Sequence, residues 1–274
     1  MKIIARYDFR EENPWEPHYA AMPFLQDGAV WFAWGSREIR CLRLDGAECR
    51  ISERASFPNR HLALPRKWRI VSHEEDLYLS CGNPDPADHV FPDQKVENLF
   101  LSLEDGLREV ALPPQYACKP TLREEGDVQL GAYTMRWRNS RSYECLASDG
   151  KVLWQEKHKG YRYTDFEVRN GCVIFGTAGH GGGLYCYRLL DGTCLCAVDT
   201  KGTARYCWQG DLILTRGRKG ELLWVDPFAN RVAACLKLDT KLTDDSGICG
   251  DAHHAAVVGF HPKTHRPTLY LIEM

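Results

Sequence analysis

The sequence predicts an all-β fold assembled from repeated four-stranded units, and three observations carry that prediction. Short apolar stretches alternate with turns along almost the whole chain. An acidic residue followed by glycine recurs between strand-like runs, as Asp45-Gly46, Asp105-Gly106, Asp149-Gly150 and Asp191-Gly192, with a looser version at Asp226-Pro227-Phe228-Ala229-Asn230. Counted at the last residue of each turn, the intervals are 60, 44, 42 and 38 residues, and the later three lie near the ~40 to 50 residues of one four-stranded repeat. Asp-Gly between alternating runs is a strong hairpin signal, because glycine accepts the positive φ that a tight turn demands.

Each unit reads as a first strand, a turn, a second apolar strand, a hairpin, a third strand closing on the acidic turn, and a fourth strand. The second strands align as "GAVWFAWG" (28–35), "DLYLSCG" (76–82), "GCVIFGTAG" (171–179), "GDLILTRG" (210–217) and "HAAVVGF" (254–260). In the third unit this strand lies somewhere within 127–139. The segment 93–112 also fits an amphipathic helix. Gly106 inside it, and the match of "LFLSLEDGLREV" to "IRCLRLDGAECR" and "YECLASDGKVLW", favour strands. Insertions at 52–67 and 82–94 read as long loops, where function often sits. The final unit, from Ser246, runs out after three strands, and "KIIARYDF" near the N-terminus can supply the fourth. The expectation is one domain over 1–274, a β-propeller of six blades, with seven as the alternative, closed by both terminal strands in one blade. Closure leaves only short, protected strand edges.

At 274 residues the chain is long enough to bury roughly 75% of its unfolded surface. A net charge of −2 lacks the basic excess that sequence-independent nucleic-acid binding needs, and disfavours anionic membranes. The 12 cysteines are scattered through apolar strand-like runs and read as reduced thiols. The apolar core of the N-terminal stretch, Ile3 to Ala5, is too short for a signal peptide, and no later run approaches the ~18 apolar residues of a membrane span. A cytosolic protein is expected.

The phrases "YECLASDGKVLWQ" (143–155), "LYCYRLLDGTCL" and "LLWVDPFANRVAACL" resemble the repeat of quinoprotein-type (PQQ-like) β-propellers and, more loosely, Trp-Asp-repeat propellers. The resemblance runs from about Gly28 to the end and implies a fold, not an activity. Only Trp154 occupies the closing tryptophan of that repeat, and no quinone or calcium constellation carries over. Exported envelope scaffolds of this class carry a signal that is missing here.

Candidate chemistry is sparse. Cys194-Leu195-Cys196 would put two thiols on one strand face, and Cys41 and Cys145 each fall five residues before a turn glycine, as buried small hydrophobes at an equivalent position would. "GHGGG" (179–183) is similar to an esterase oxyanion loop but has no nucleophile elbow beside it, so a hairpin is expected. His253, His254, His261 and His265 crowd the last unit without a shared ligand geometry. No catalytic residue, metal or cofactor is assigned.

The propeller topology itself supplies the most useful constellation, since the links entering each unit converge on one face. Those starts hold Trp15 and His18; Arg66, Lys67 and Trp68; Tyr116 and Lys119; Arg162, Tyr163 and Asp165; Arg205 and Tyr206; and Asp244 and Asp245. Guanidinium and ammonium groups suit carboxylate or phosphate, and flat rings stack on sugars or planar ligands. A binding or scaffold module is expected, contacting a protein partner or a small anionic or carbohydrate ligand at this mouth. The alternative is a carbohydrate-active enzyme, a lyase or hydrolase on an acidic sugar in the central channel, with Arg66, Lys119, Arg162 and Arg205 gripping carboxylates and Asp165 or a histidine moving protons; Asp165 and one of Asp244, Asp245 or Asp251 could also serve as paired carboxylates on a glycosidic bond.

Overall fold

The computed structural model describes residues 1–9, 23–26, 29–34, 38–45, 48–56, 68–73, 76–81, 99–102, 106–109, 125–243 and 246–273, with side chains chiefly in 1–9, 125–243 and 246–273. Every regular element among these residues is a strand. The chain divides into two compact units, Met1–Thr121 with Asp245–Met274, and Leu122–Asp244.

In the first unit, β1 (Lys2–Asp8) precedes two antiparallel meanders. One is β2 (Phe24–Gln26), β3 (Ala29–Trp34), β4 (Glu38–Asp45) and β5 (Glu48–Ser56); the other is β6 (Trp68–His73), β7 (Asp76–Cys81), β8 (Leu99–Ser102) and β9 (Gly106–Glu109). The ambiguous 93–112 segment thus holds two strands, paired from Leu99↔Glu109 to Ser102↔Gly106. The first insertion begins inside β5, while 57–67 and 82–94 lie outside the described residues.

The second unit holds three sheets. The first is β10 (Gly126–Leu130), β11 (Tyr133–Arg138), β12 (Ser142–Ala147) and β13 (Val152–Lys157). Its second strand, blurred in the sequence, is β11, reached through Gly131 at φ 64°. Next come β14 (Tyr161–Arg162) and β15 (Glu167–Arg169), which both pair with β16 (Cys172–Ala178), followed by β17 (Gly183–Arg188) and β18 (Cys194–Asp199). The innermost strand breaks at 163–166, where Tyr163 and Thr164 both donate to Gly176 O while the Gly176 N–H donates to Thr164 Oγ1 at 2.7 Å. The third sheet is β19 (Tyr206–Gln209), β20 (Leu212–Arg216), β21 (Leu222–Asp226) and β22 (Arg231–Leu236).

The last sheet returns to the first unit: β23 (Ile248–Gly250), β24 (His254–Phe260), β25 (Pro267–Glu273) and then β1, paired from Lys2↔Glu273 to Asp8↔Thr268. The expectation that the N-terminal strand completes the final unit therefore holds. A Thr268 hydroxyl donating to Asp8 Oδ1 at 2.8 Å reinforces that junction.

One irregularity recurs. The outer strand carries one extra residue in β5 at Ser52, β13 at Leu153, β18 at Leu195, β22 at Ala233 and β1 at Ile4. Such a bulge bends and twists the outer strand away from its partner, which helps to blunt an exposed edge. It also flips side-chain parity. Cys186 pairs with Cys196 whereas Tyr187 pairs with Cys194, so Cys194 and Cys196 point to opposite faces. The shared face expected from alternation is overturned: Cys196 is buried and Cys194 exposed. Cys41 and Cys145 do occupy equivalent register positions, each just before the bulge.

Alternation builds the core. In β16, buried along its whole length, Val173 and Phe175 pack with Trp137, Tyr143 and Trp154 of the preceding sheet, while Cys172 and Ile174 pack with Ile213 and Val225 of the following one. This is the continuous apolar run expected of a strand covered on both faces. Trp154 Nε1 donates to Leu189 O at 2.8 Å, and its indole lies against the Asp191-Gly192 turn, where a Cβ on Gly192 would sit 2.5 Å from Trp154 Cγ. Gly192 also has φ 71°, so both the packing and the backbone demand glycine. In the first unit, Ala5, Leu25, Val30, Leu42, Val258 and Leu271 form the corresponding core.

Candidate functional site

The outer-to-inner links and the second-to-third-strand hairpins meet at one end of the sheets in the second unit. The link 199–205 binds the hairpin 179–182 beside it: Thr200 N donates to Gly182 O at 3.1 Å, Thr200 Oγ1 lies 3.0 Å from the same oxygen, and Ala204 N donates to Thr177 O at 2.9 Å. "GHGGG" is thus the hairpin between β16 and β17, with Gly179 and Gly181 at positive φ. A side chain on Gly182 would collide with the Gly202 carbonyl, which explains the glycines by close backbone approach.

Arg162 ends β14 and is 5% exposed. Its guanidinium lies 4.0 Å from the Trp137 ring centroid and 5.6 Å from that of Phe166, with Nη1 3.6 Å from Asp165 Oδ1. Burial pulls its pKa down and the Asp165 carboxylate opposes that shift. Arg205 lies over the Tyr163 ring at 5.4 Å. Tyr206 donates to Glu167 Oε2 at 3.2 Å, beside Trp208 Nε1 on the other oxygen at 2.5 Å; burial, with the neighbouring carboxylate, pushes the Tyr206 phenol pKa up. The described cations of the expected mouth are therefore engaged with rings and carboxylates between sheets. Trp68 begins β6, and Trp15, His18, Arg66, Lys67, Tyr116, Lys119, Asp244 and Asp245 lie outside the described residues. Asp251 Oδ1 accepts the backbone N–H of His253 and of His254, a turn-capping role. His261 Nδ1 accepts Lys263 N and Thr264 N and so shapes its own hairpin. Among the described residues no cluster of three or more His, Cys, Asp or Glu is placed to hold a metal.

The solvent-facing positive charge at this end sits one sheet further along. A cleft of about 560 Å3 opens between the links 199–205 and 237–243 and the 217–220 hairpin, and among the described residues its wall includes Lys201, Arg216, Arg218, Lys219, Lys237 and Lys241 but no carboxylate. Arg216, 7% exposed, ties the two links together by donating from Nη1 to Leu242 O at 3.2 Å and from Nη2 to Thr200 O at 3.1 Å. Arg218 pairs with Asp199 at 3.3 Å, both largely in water, where such a pair is worth little. Gathering like charge with little counter-charge among the described residues raises the local potential and draws anions. Inspecting only the strand starts missed this cleft. Its signal was the tight "RGRKG" turn (216–220), together with lysines just past the ends of outer strands, Lys201, Lys237 and Lys241.

No protein-family model and no curated protein matches the chain. Solved structures do. A chain in the crystal structure of the mitotic checkpoint complex superposes with a TM-score of 0.59 at 9% identity, covering 98% of this chain and 91% of that one. BamB from Moraxella catarrhalis gives 0.47 at 9% identity over 92% and 82%, and the computationally designed Ika8 protein gives 0.39 at 8% over 92% and 70%. At such identities the likeness is one of fold, and the first of the three carries it: the chain resembles β-propellers.

Proposed function

We propose that this chain is a binding module whose contact surface is the end of the sheets where links and hairpins meet, and that it presents this surface to an acidic partner. The observation that supports the reading is the wall of cations around the Arg216 cleft, which includes no carboxylate among the described residues, in a chain whose overall charge is −2. Complementary charge of this kind speeds encounter and selects among partners. The engaged pairs Arg162 on Trp137 and Arg205 on Tyr163 brace the same end, which suits a rigid recognition surface. Trp15, His18, Arg66, Trp68, Lys119 and Asp245 belong to the proposal as further members of that face. So does the closed ring of six blades, supported by the sharing of one sheet between β1 and β25.

Photo-crosslinking in the native host tests this. A benzophenone amino acid at 201 or 219 should capture the partner, whereas one at 151 or 232, in and just after third-to-fourth-strand turns at the other end, should not. Capture at 151 or 232 with none at 201 and 219 would refute the assignment of the face.

A further inference from the structure

We infer that the Arg216 cleft is a site for a compact polyphosphorylated anion, two or more phosphates on one small scaffold. The inference rests on the binding-module reading and names a ligand class for its most basic feature. Volume comes first: about 560 Å3 falls within the ~300–1,000 Å3 of small-molecule sites. Charge comes next. Lys201, Lys219, Lys237 and Lys241 have no ion-pair partner among the described residues, and Arg218 is offset by Asp199. A single monoanion leaves most of that charge unanswered, whereas clustered phosphates answer it within one cleft.

The wall favours phosphate over carboxylate. Lysines approach from three separate segments, as point charges suited to tetrahedral oxygens, whereas the exposed arginine fork that would grip a planar carboxylate is already paired with Asp199. Among the described residues no aromatic side chain lines the cleft, so they offer no stacking platform for a nucleobase. Two features make it a built site. Arg216 is a buried charge fixed by carbonyls of both links. Thr240, also in the wall, is 8% exposed, and its Oγ1 has no hydrogen-bond partner in the protein, leaving a hydroxyl donor for an anionic oxygen.

Calorimetry with tripolyphosphate, against citrate at matched ionic strength, tests the inference. Tripolyphosphate should bind at least about tenfold more tightly, a difference of about 1.4 kcal/mol. The Lys201→Ala, Lys219→Ala, Lys241→Ala triple variant should lose about tenfold or more, and Lys151→Ala nothing. Thr240→Val, which removes only the hydroxyl, should weaken binding about threefold without lowering the melting temperature. Co-sedimentation with vesicles carrying phosphatidylinositol bisphosphate identifies a lipid headgroup as the source; binding of tripolyphosphate without vesicle binding identifies a free anion. Equal affinity for citrate, or an unaffected triple variant, overturns the inference. A deca-glutamate peptide that binds at this face and is not displaced by tripolyphosphate also overturns it, while leaving the binding-module reading intact.

Discussion

Acidification should destabilise the second unit through His158. Its backbone N–H donates to Arg141 O at 2.9 Å, its ring lies 3.9 Å from that of Tyr185, and Nε2 is 3.3 Å from the Tyr187 hydroxyl. Burial pushes its pKa down to about 4 from 6.5. The folded state therefore resists a proton that the unfolded chain accepts. As pH falls below 6.5, the unfolded state binds more protons and stability drops until the pH reaches about 4, then levels off. At about 1.4 kcal/mol per pH unit the full gap is worth about 3 kcal/mol, and about 2 of that is lost by pH 5. His158 is only half-buried, and solvent screening cuts the loss at pH 5 to about 1 kcal/mol. Urea titrations at pH 7 and pH 5 should show the midpoint falling by several tenths of a molar. His158→Phe, which keeps the ring stack, should lose that share of the pH dependence. An equal fall in the variant would refute the argument.

Three further outcomes follow from the packing. Trp154→Phe removes the donor to the buried Leu189 carbonyl and should cost about 1 to 3 kcal/mol in urea unfolding; a change under about 0.5 kcal/mol would show the bond to be dispensable. Gly176→Ala drives a methyl into the Ala204 carbonyl, a backbone atom with nowhere to go, and should cost about 3 kcal/mol or more; a soluble variant with unchanged melting temperature would contradict the close approach. A short maleimide pulse followed by mass spectrometry should label Cys194 while sparing Cys145, Cys186 and Cys196, which are at most 3% exposed, and labelling of all four at one rate would contradict the bulge that separates them.

Much of the fold was legible because period-two alternation and turn chemistry are local signals. Asp191-Gly192 marked its hairpin, and the three-strand remainder after Ser246 pointed to β1 as the missing partner, with the same buried middle residue, Ala5, that Trp154 and Cys196 provide in β13 and β18. The outer-strand bulge was not legible, since one extra residue leaves no composition mark, and the face of Cys194 was misread for that reason. The break in the inner strand at 163–166 was hidden likewise, because Thr164 replaces ladder bonds with a side-chain bond. Strand starts named Arg162 and Arg205 as cations of this end, but burial against Trp137 depends on a neighbouring sheet more than twenty residues away. The Arg216 cleft takes its wall from three loops that only the folded unit brings together.

The pairing of β1 with β25 has a kinetic cost during synthesis. β1 leaves the ribosome about 260 residues ahead of the strand it pairs with. At ~5 to 20 residues per second, Lys2–Asp8 waits on the order of tens of seconds with an unsatisfied backbone edge and with Ala5 uncovered. Nascent chains stalled short of Pro267 should thus be the form most dependent on chaperones.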